Sequence, residues 1–164
     1  LPGVGAFDNA MIKLNNSGLL DDLNEYVINK GVPILGVCVG MQMMACSSEE
    51  GKEKGLGWLP SGKVVKFKDN YFDMKTHTPH MGWNSICIKS NDKIFNDLND
   101  QYFYFLHSYY LKLENYEERN ILCTTKYGIE FISAIKHDNI FATQFHPEKS
   151  HISGITILKN FSML

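Results

Sequence analysis

Val32-Pro33-Ile34-Leu35-Gly36-Val37-Cys38-Val39-Gly40 is the stretch on which the fold turns. Its first six residues form a continuous apolar run. Such a run, arriving after a helical pattern, fits a strand buried on both faces of a parallel sheet. Gly36-x-Cys38-x-Gly40 then has the form of a nucleophile elbow, with Cys at the position more often held by Ser. In that turn a buried strand passes abruptly into a helix, and the nucleophile takes a strained backbone conformation. Glycines on either side remove side chains that would meet the neighbouring strand and helix. The thiol is expected at the carboxyl edge of the sheet. There a helix N-terminus should lower its pKa, and Val39 N–H should face a developing oxyanion. Taken alone, the pentapeptide has a competing reading as a small buried hydrophobe, the usual state of a lone cysteine.

Working outward, Phe7 to Asn15 predicts a short helix, and Ser17 is placed to cap the next one. Leu19, Leu23, Tyr26, Val27 and Lys30 follow a 3.6-residue spacing that Gly31 ends. Met41, Met43, Met44 and Ala45 suit a helix leaving the elbow, their thioethers serving as core packing. Helix, strand and helix in alternation predict an α/β domain. After a Gly-, Glu- and Lys-rich loop over 47–61 the pattern turns to strands: 64–67, 85–88, 102–106, 109–113 and 120–125. A short helix is expected at 93–98. A hairpin over 131–136 and 140–145 turns at Asp138-Asn139, and 153–161 closes the chain as a helix.

The second chemical segment is Phe145-His146-Pro147-Glu148-Lys149-Ser150, at the end of the last apolar strand. Residues i and i+2 of an extended chain project to one side, so Glu148 can reach the His146 ring. A carboxylate on one ring nitrogen leaves the other free to accept the thiol proton. The competing reading is a surface His-Pro-Glu turn; its pairing with the elbow favours the triad Cys38, His146, Glu148. His77 and His80 form an H-x-x-H pair, but no third and fourth ligand stands at zinc-site spacing, and no metal is expected.

Composition narrows the function classes. The chain has 164 residues, 44% hydrophobic and 21% charged, with a net charge of -2. One domain spanning 1–164 with one sizeable core is expected. No basic stripe indicates nucleic acid, and no apolar run reaches the roughly 18 residues of a spanning helix. Cys38, Cys46, Cys87 and Cys123 show no paired spacing, which predicts reduced thiols and a cytoplasmic protein. Trp83 and Met81, set beside polar groups in Pro79-His80-Met81-Gly82-Trp83-Asn84, suit the centre of an interface. An ordinary core aromatic is the alternative for Trp83.

Gly36 to Gln42 together with His146-Pro147-Glu148 resembles the class I, or triad, glutamine amidotransferases. Leu1 to Phe7, Pro79 to Asn84 and Phe103 to Tyr110 extend the resemblance to the glutaminase subunits of imidazole glycerol phosphate synthase. The resemblance implies a flavodoxin-like, mostly parallel sheet flanked by helices, with additional antiparallel strands. It implies that Cys38 attacks the amide of L-glutamine with His146 and Glu148 as its activating pair. It places Gly3, Val4, Gly5, Val39, Gln42, His107, Ser108 and Tyr109 around the glutamine. It gives a (β/α)8-barrel cyclase as the partner in a heterodimer, docked on His80, Met81, Trp83, Asn84 and Lys149, and no cofactor. The ammonia would pass to that cyclase, yielding imidazole glycerol phosphate and aminoimidazole carboxamide ribotide. Three other readings share the residues: a paralogue feeding a sugar-modifying synthetase, a stand-alone peptidase or γ-glutamyl hydrolase, against which the docking-like Pro79 to Asn84 stretch argues, and an inactive truncated subunit. The elbow departs from the family in having Val37 and Val39 for Ile and Leu. The family also carries a first strand and helix ahead of the Pro-Gly-Val-Gly turn. The chain therefore reads as truncated at its N-terminus, and poor solubility or inactivity in isolation is expected.

Overall fold

The computed structural model describes residues 1–72, 77–114 and 117–164. In chain order the strands are β1 (Pro2–Gly3), β2 (Ile34–Cys38), β3 (Ser47–Ser48), β4 (Gly62–Lys66), β5 (His80–Ser85) and β6 (Cys87–Ile88). They continue with β7 (Tyr102–His107), β8 (Tyr109–Leu113), β9 (Ile121–Tyr127), β10 (Ile129–His137) and β11 (Ile140–Thr143). The α-helices are α1 (Phe7–Asn16), α2 (Leu20–Asn24), α3 (Val39–Met43) and α4 (His151–Phe161).

The central sheet runs β1-β2-β11-β10-β9-β6. β2 pairs in parallel with β1 on one side and β11 on the other, while β10, β9 and β6 continue antiparallel. The α/β expectation is borne out. β2 and β11 are the strands with almost no exposed residue, as their continuous apolar sequences require. One face of the sheet carries an aromatic core that includes Phe67, Phe103, Phe105, Phe131 and Phe145. The other carries Met41, Met44, Trp58, Leu59 and Leu111, so these methionines are core packing as anticipated. Each such side chain, fully buried, contributes about 1.5–3 kcal/mol, enough to hold the sheet that carries the site. α1 packs Phe7, Met11 and Leu14 on Val39 and Met43 of α3.

Three local expectations change. The helix expected to run from Leu19 to Lys30 is α2 followed by a π-helical turn, Glu25–Asn29. Ser17 ends α1, its hydroxyl donating to Leu14 O, and also accepts from Leu19 N–H. The stretch from His80 to Asn84, not among the expected strands, is one: β5 pairs with β7 from His80↔His107 to Ser85↔Tyr102. Its alternating burial is the period of two that a strand imposes.

Candidate active site

The elbow forms because β2 ends inside the sheet and α3 begins at once. Cys38 has φ 53° and ψ −110°, a conformation that costs a non-glycine residue about 1–3 kcal/mol. The flanking glycines are needed for space. A Cβ at Gly36 would stand 2.8 Å from Met44 Sδ, and one at Gly40 would collide with Leu1 O. Register then gathers the chemistry. Val37 pairs with Thr143 in parallel, so Cys38 and Gln144 leave the sheet at the same edge, with His146 two residues beyond.

The Cys38 thiol is buried. Its Sγ donates to Leu106 O at 3.7 Å and accepts from Gln144 Nε2 at 3.7 Å. Burial pushes the thiol up to about 11. The Val39 N–H opposes that, Glu148 adds to it, and Gln144 and Lys149 pull the other way. The expected net lowering by the helix N-terminus is therefore overturned. α3 has only five residues, and desolvation outweighs its first N–H. At neutral pH Cys38 is a neutral thiol, and a base is needed to ionise it.

His146 is the group oriented as such a base. Its Nδ1 lies 2.7 Å from Glu148 Oε1. An ionised carboxylate only accepts, so Nδ1 carries the proton and Nε2 is bare. That Nε2 is the one buried side-chain nitrogen or oxygen without a hydrogen-bond partner among the described residues. Leaving it so costs about 1–3 kcal/mol. The segment is locked from behind: His146 N–H donates to Tyr104 O, and Ser150 Oγ donates to His146 O at 2.6 Å.

Beside Sγ opens a cavity of about 120 Å3, lined by Val4, Gly5, Cys38, Val39, Gln42, Glu50, Leu106, His107, Ser108 and Tyr109. Of the eight positions expected around a ligand, Gly3 alone is missing. It pairs with Cys38 behind the cavity wall, and a Cβ there would strike Val39 Cγ1. Gln42 and His107 line the cavity with the Gln42 amide nitrogen and both His107 ring nitrogens already committed. Gln42 Nε2 donates to Tyr109 O and Gln144 Oε1, both at 3.1 Å. His107 bonds Tyr109 O at 2.7 Å and His80 at 3.0 Å, leaving no free ring nitrogen. Glu50 and Gln144 were not foreseen. Glu50 Oε2 holds Phe7 N–H at 2.8 Å from within the loop, where sequence carries no signal. Gln144 did leave one, as a polar residue inside the apolar run Ile140 to Phe145.

Around β5 the expectation needs one correction. His80 is only 2% exposed, stacked between Phe105 and Tyr127, and so has no surface with which to dock. Strand alternation puts Met81 and Trp83 on the opposite, open face, 65% and 47% exposed. Trp83 stacks on His151 and is not a core aromatic. Asn84 is half-buried on the His80 side, and Lys149 is exposed. Both His80 nitrogens are engaged, one by His107 and one by Asn84. No group of three His, Cys, Asp or Glu able to hold a metal occurs among the described residues. Cys46 and Cys87 are exposed free thiols, and Cys123 is buried against Ser133. No helix among the described residues is long and apolar enough to cross a membrane.

A strained cysteine at a strand edge and a carboxylate-oriented histidine are features of a triad amidotransferase. The family model for glutamine amidotransferase class-I matches residues 1–163, and the chain belongs to that family. Within it, the chain is 47% identical over 165 residues to the imidazole glycerol phosphate synthase subunit HisH of Leptospira interrogans, covering all of this chain and 79% of that one. It is also 47% identical to the subunit HisH 2 of Methanococcus maripaludis, over 98% of this chain and 77% of the relative. Among solved structures, a glutamine amidotransferase from Thermotoga maritima shares the fold with TM-score 0.61 and 17% identity. The match covers 99% of this chain and 60% of that one. The glutaminase domain of Trypanosoma brucei CTPS, solved with bound acivicin, matches with TM-score 0.59 and 14% identity, over 99% of this chain and 69% of that one.

Proposed function

We propose that this chain is the glutaminase subunit of an imidazole glycerol phosphate synthase, acting in the cytoplasm in histidine biosynthesis and supplying ammonia to a (β/α)8-barrel cyclase. The observation that carries the reading is the bare, buried Nε2 of His146, oriented by Glu148 at the sheet edge that holds the strained Cys38. The named relatives support the acceptor.

The chemistry follows from that geometry. Turning the thiol from Leu106 O toward His146 transfers its proton to Nε2, and Glu148 stabilises the imidazolium. The thiolate attacks the side-chain amide carbon of glutamine, forming a C–S bond. The oxyanion that develops is met by Val39 N–H and by backbone of the Val4–Gly5 loop. Collapse breaks the C–N bond; Nε2–H protonates the leaving nitrogen, and ammonia departs. Water then attacks the γ-glutamyl thioester and gives its proton to Nε2. The C–S bond breaks, glutamate leaves, and the thiol is restored. Glu50, at the far wall of the cavity, offers a carboxylate to the substrate ammonium. Met81, Trp83 and Lys149 form the docking face, with Asn84 at its rim and His80 excluded by burial.

Cys38→Ala should abolish glutamine-dependent synthesis by the complex while leaving synthesis from added ammonium intact. Glutamine-dependent product from that variant would refute the mechanism. Relatives numbered as second subunits keep one other acceptor in view, a sugar-modifying synthetase. Restoration of growth to a histidine auxotroph lacking this subunit decides for the cyclase.

A further inference from the structure

Five polar side chains buried or half-buried between β5 and Cys38 form one continuous hydrogen-bond chain. Asn84 Nδ2 lies 3.1 Å from His80 Nε2, and His80 Nδ1 lies 3.0 Å from His107 Nε2. His107 Nδ1 is 2.7 Å from Tyr109 O. Gln42 Nε2 joins that carbonyl to Gln144 Oε1, and Gln144 Nε2 reaches Cys38 Sγ. Every direction in the chain is forced by its middle. A carbonyl only accepts, so His107 must be the Nδ1–H tautomer and Gln42 must present its nitrogen to Tyr109. The His107 Nε2 then accepts, so His80 donates from Nδ1 and takes the Asn84 proton at Nε2. On the other side, Gln144 must turn its oxygen to Gln42 and therefore its N–H to sulfur.

We propose that Gln144 is a positioning residue for Cys38, its amide held facing Sγ by Gln42, whose nitrogen is in turn fixed by the Tyr109 carbonyl. The inference rests on Cys38 being the nucleophile and extends that reading. An N–H aimed at sulfur favours the thiolate over the thiol. Burial keeps both histidines neutral, His80 lowered to about 4 and His107 to about 3, so the hydrogen bonds on the β5 side of the Tyr109 carbonyl also persist across the neutral range. The charged groups acting on Sγ are Glu148, which opposes ionisation, and Lys149, which favours it. Both lie beyond His146 and are untouched by a change at Gln144.

The test follows the thiol itself. In the full chain, alkylation of Cys38 by iodoacetamide is measured against pH by peptide-resolved mass spectrometry, which separates it from exposed Cys46 and Cys87. Gln144→Met keeps the volume and removes the donor. It should move the alkylation profile up by about one pH unit, about tenfold slower below the pKa. An unmoved profile in a folded variant overturns the proposal. Nitrogen-15 NMR of the unaltered protein needs no variant: the Gln144 side-chain amide resonance should move as pH is raised through Cys38 ionisation. A Gln144 amide resonance that does not follow Cys38 ionisation overturns it too. Neither readout requires turnover. Failure of the nucleophile reading would instead appear as glutamine hydrolysis retained by Cys38→Ala.

Discussion

At the scale of single residues, the site is defined by which atoms have partners and which do not. Sγ is held by Leu106 O and Gln144 Nε2, while His146 Nε2 has nothing. The resting thiol is therefore neutral and parked, and in the proposed mechanism activation consists of turning it. Glu148 matters through the tautomer it imposes. Glu148→Gln can present an amide N–H to Nδ1, which places the ring proton on Nε2 and removes the base. A buried triad carboxylate lost in this way costs about 10^4 in turnover. Glu148 is half-exposed, so a loss of about 10^2 or more is expected in steady-state glutaminase assays with the cyclase present. Alkylation of Cys38 should persist in that variant. Cys38, His146 and Glu148 were legible because their chemistry depends on short local spacing. Gln144 was harder to see, since its partner is Cys38, which lies far away in the chain.

At the scale of elements, two devices matter. The first is the β2–α3 turn, where three backbones crowd and side chains have no room. Gly40→Ala should cost about 3 kcal/mol or more, because its Cβ meets a backbone carbonyl that cannot swing aside as a side chain does. A fall in the urea midpoint with unchanged slope is the expected reading. The second is β5, whose alternation sorts one short stretch into two roles. Met81 and Trp83 face outward, while His80 points into the aromatic core. Trp83→Ala should weaken cyclase binding by about tenfold or more in a titration. The stability of the free chain should shift by no more than about 0.5 kcal/mol, as for other exposed positions. The alternation was present in the residues but lay hidden. Gly82 and the polar Asn84 blur the hydrophobic period, and only pairing with β7 makes it plain.

At the scale of the whole molecule, buried titratable groups bound the pH range of the fold. His80 and His107 have an ordinary value of 6.5 and are lowered to about 4 and about 3 by burial. Below pH 6.5 the unfolded chain takes up protons that the folded protein refuses. Stability therefore falls as pH drops toward 4, by up to about 1.4 kcal/mol per pH unit for each histidine. His107→Phe should flatten that dependence when urea midpoints at pH 7 and pH 5 are compared, whatever its effect at pH 7. On the alkaline side, Cys38 and Cys123 are pushed up to about 11 and about 12. The unfolded chain ionises them from about pH 9, so stability declines above that point.

By itself, the sequence determined the α/β class, the elbow, the pairing of His146 with Glu148 and the outward-facing aromatic. Each depends on residue type at close spacing, through φ/ψ limits, strand and helix periods, and donor–acceptor chemistry. Tertiary structure decided what those groups experience. Desolvation at the sheet edge outweighed the helix N-terminus and raised the Cys38 thiol. Strand pairing buried His80 and tied it to His107. The parallel register of β2 and β11 set Gln144 against the sulfur. These are effects of burial and long-range pairing, which exist only once distant segments share a core.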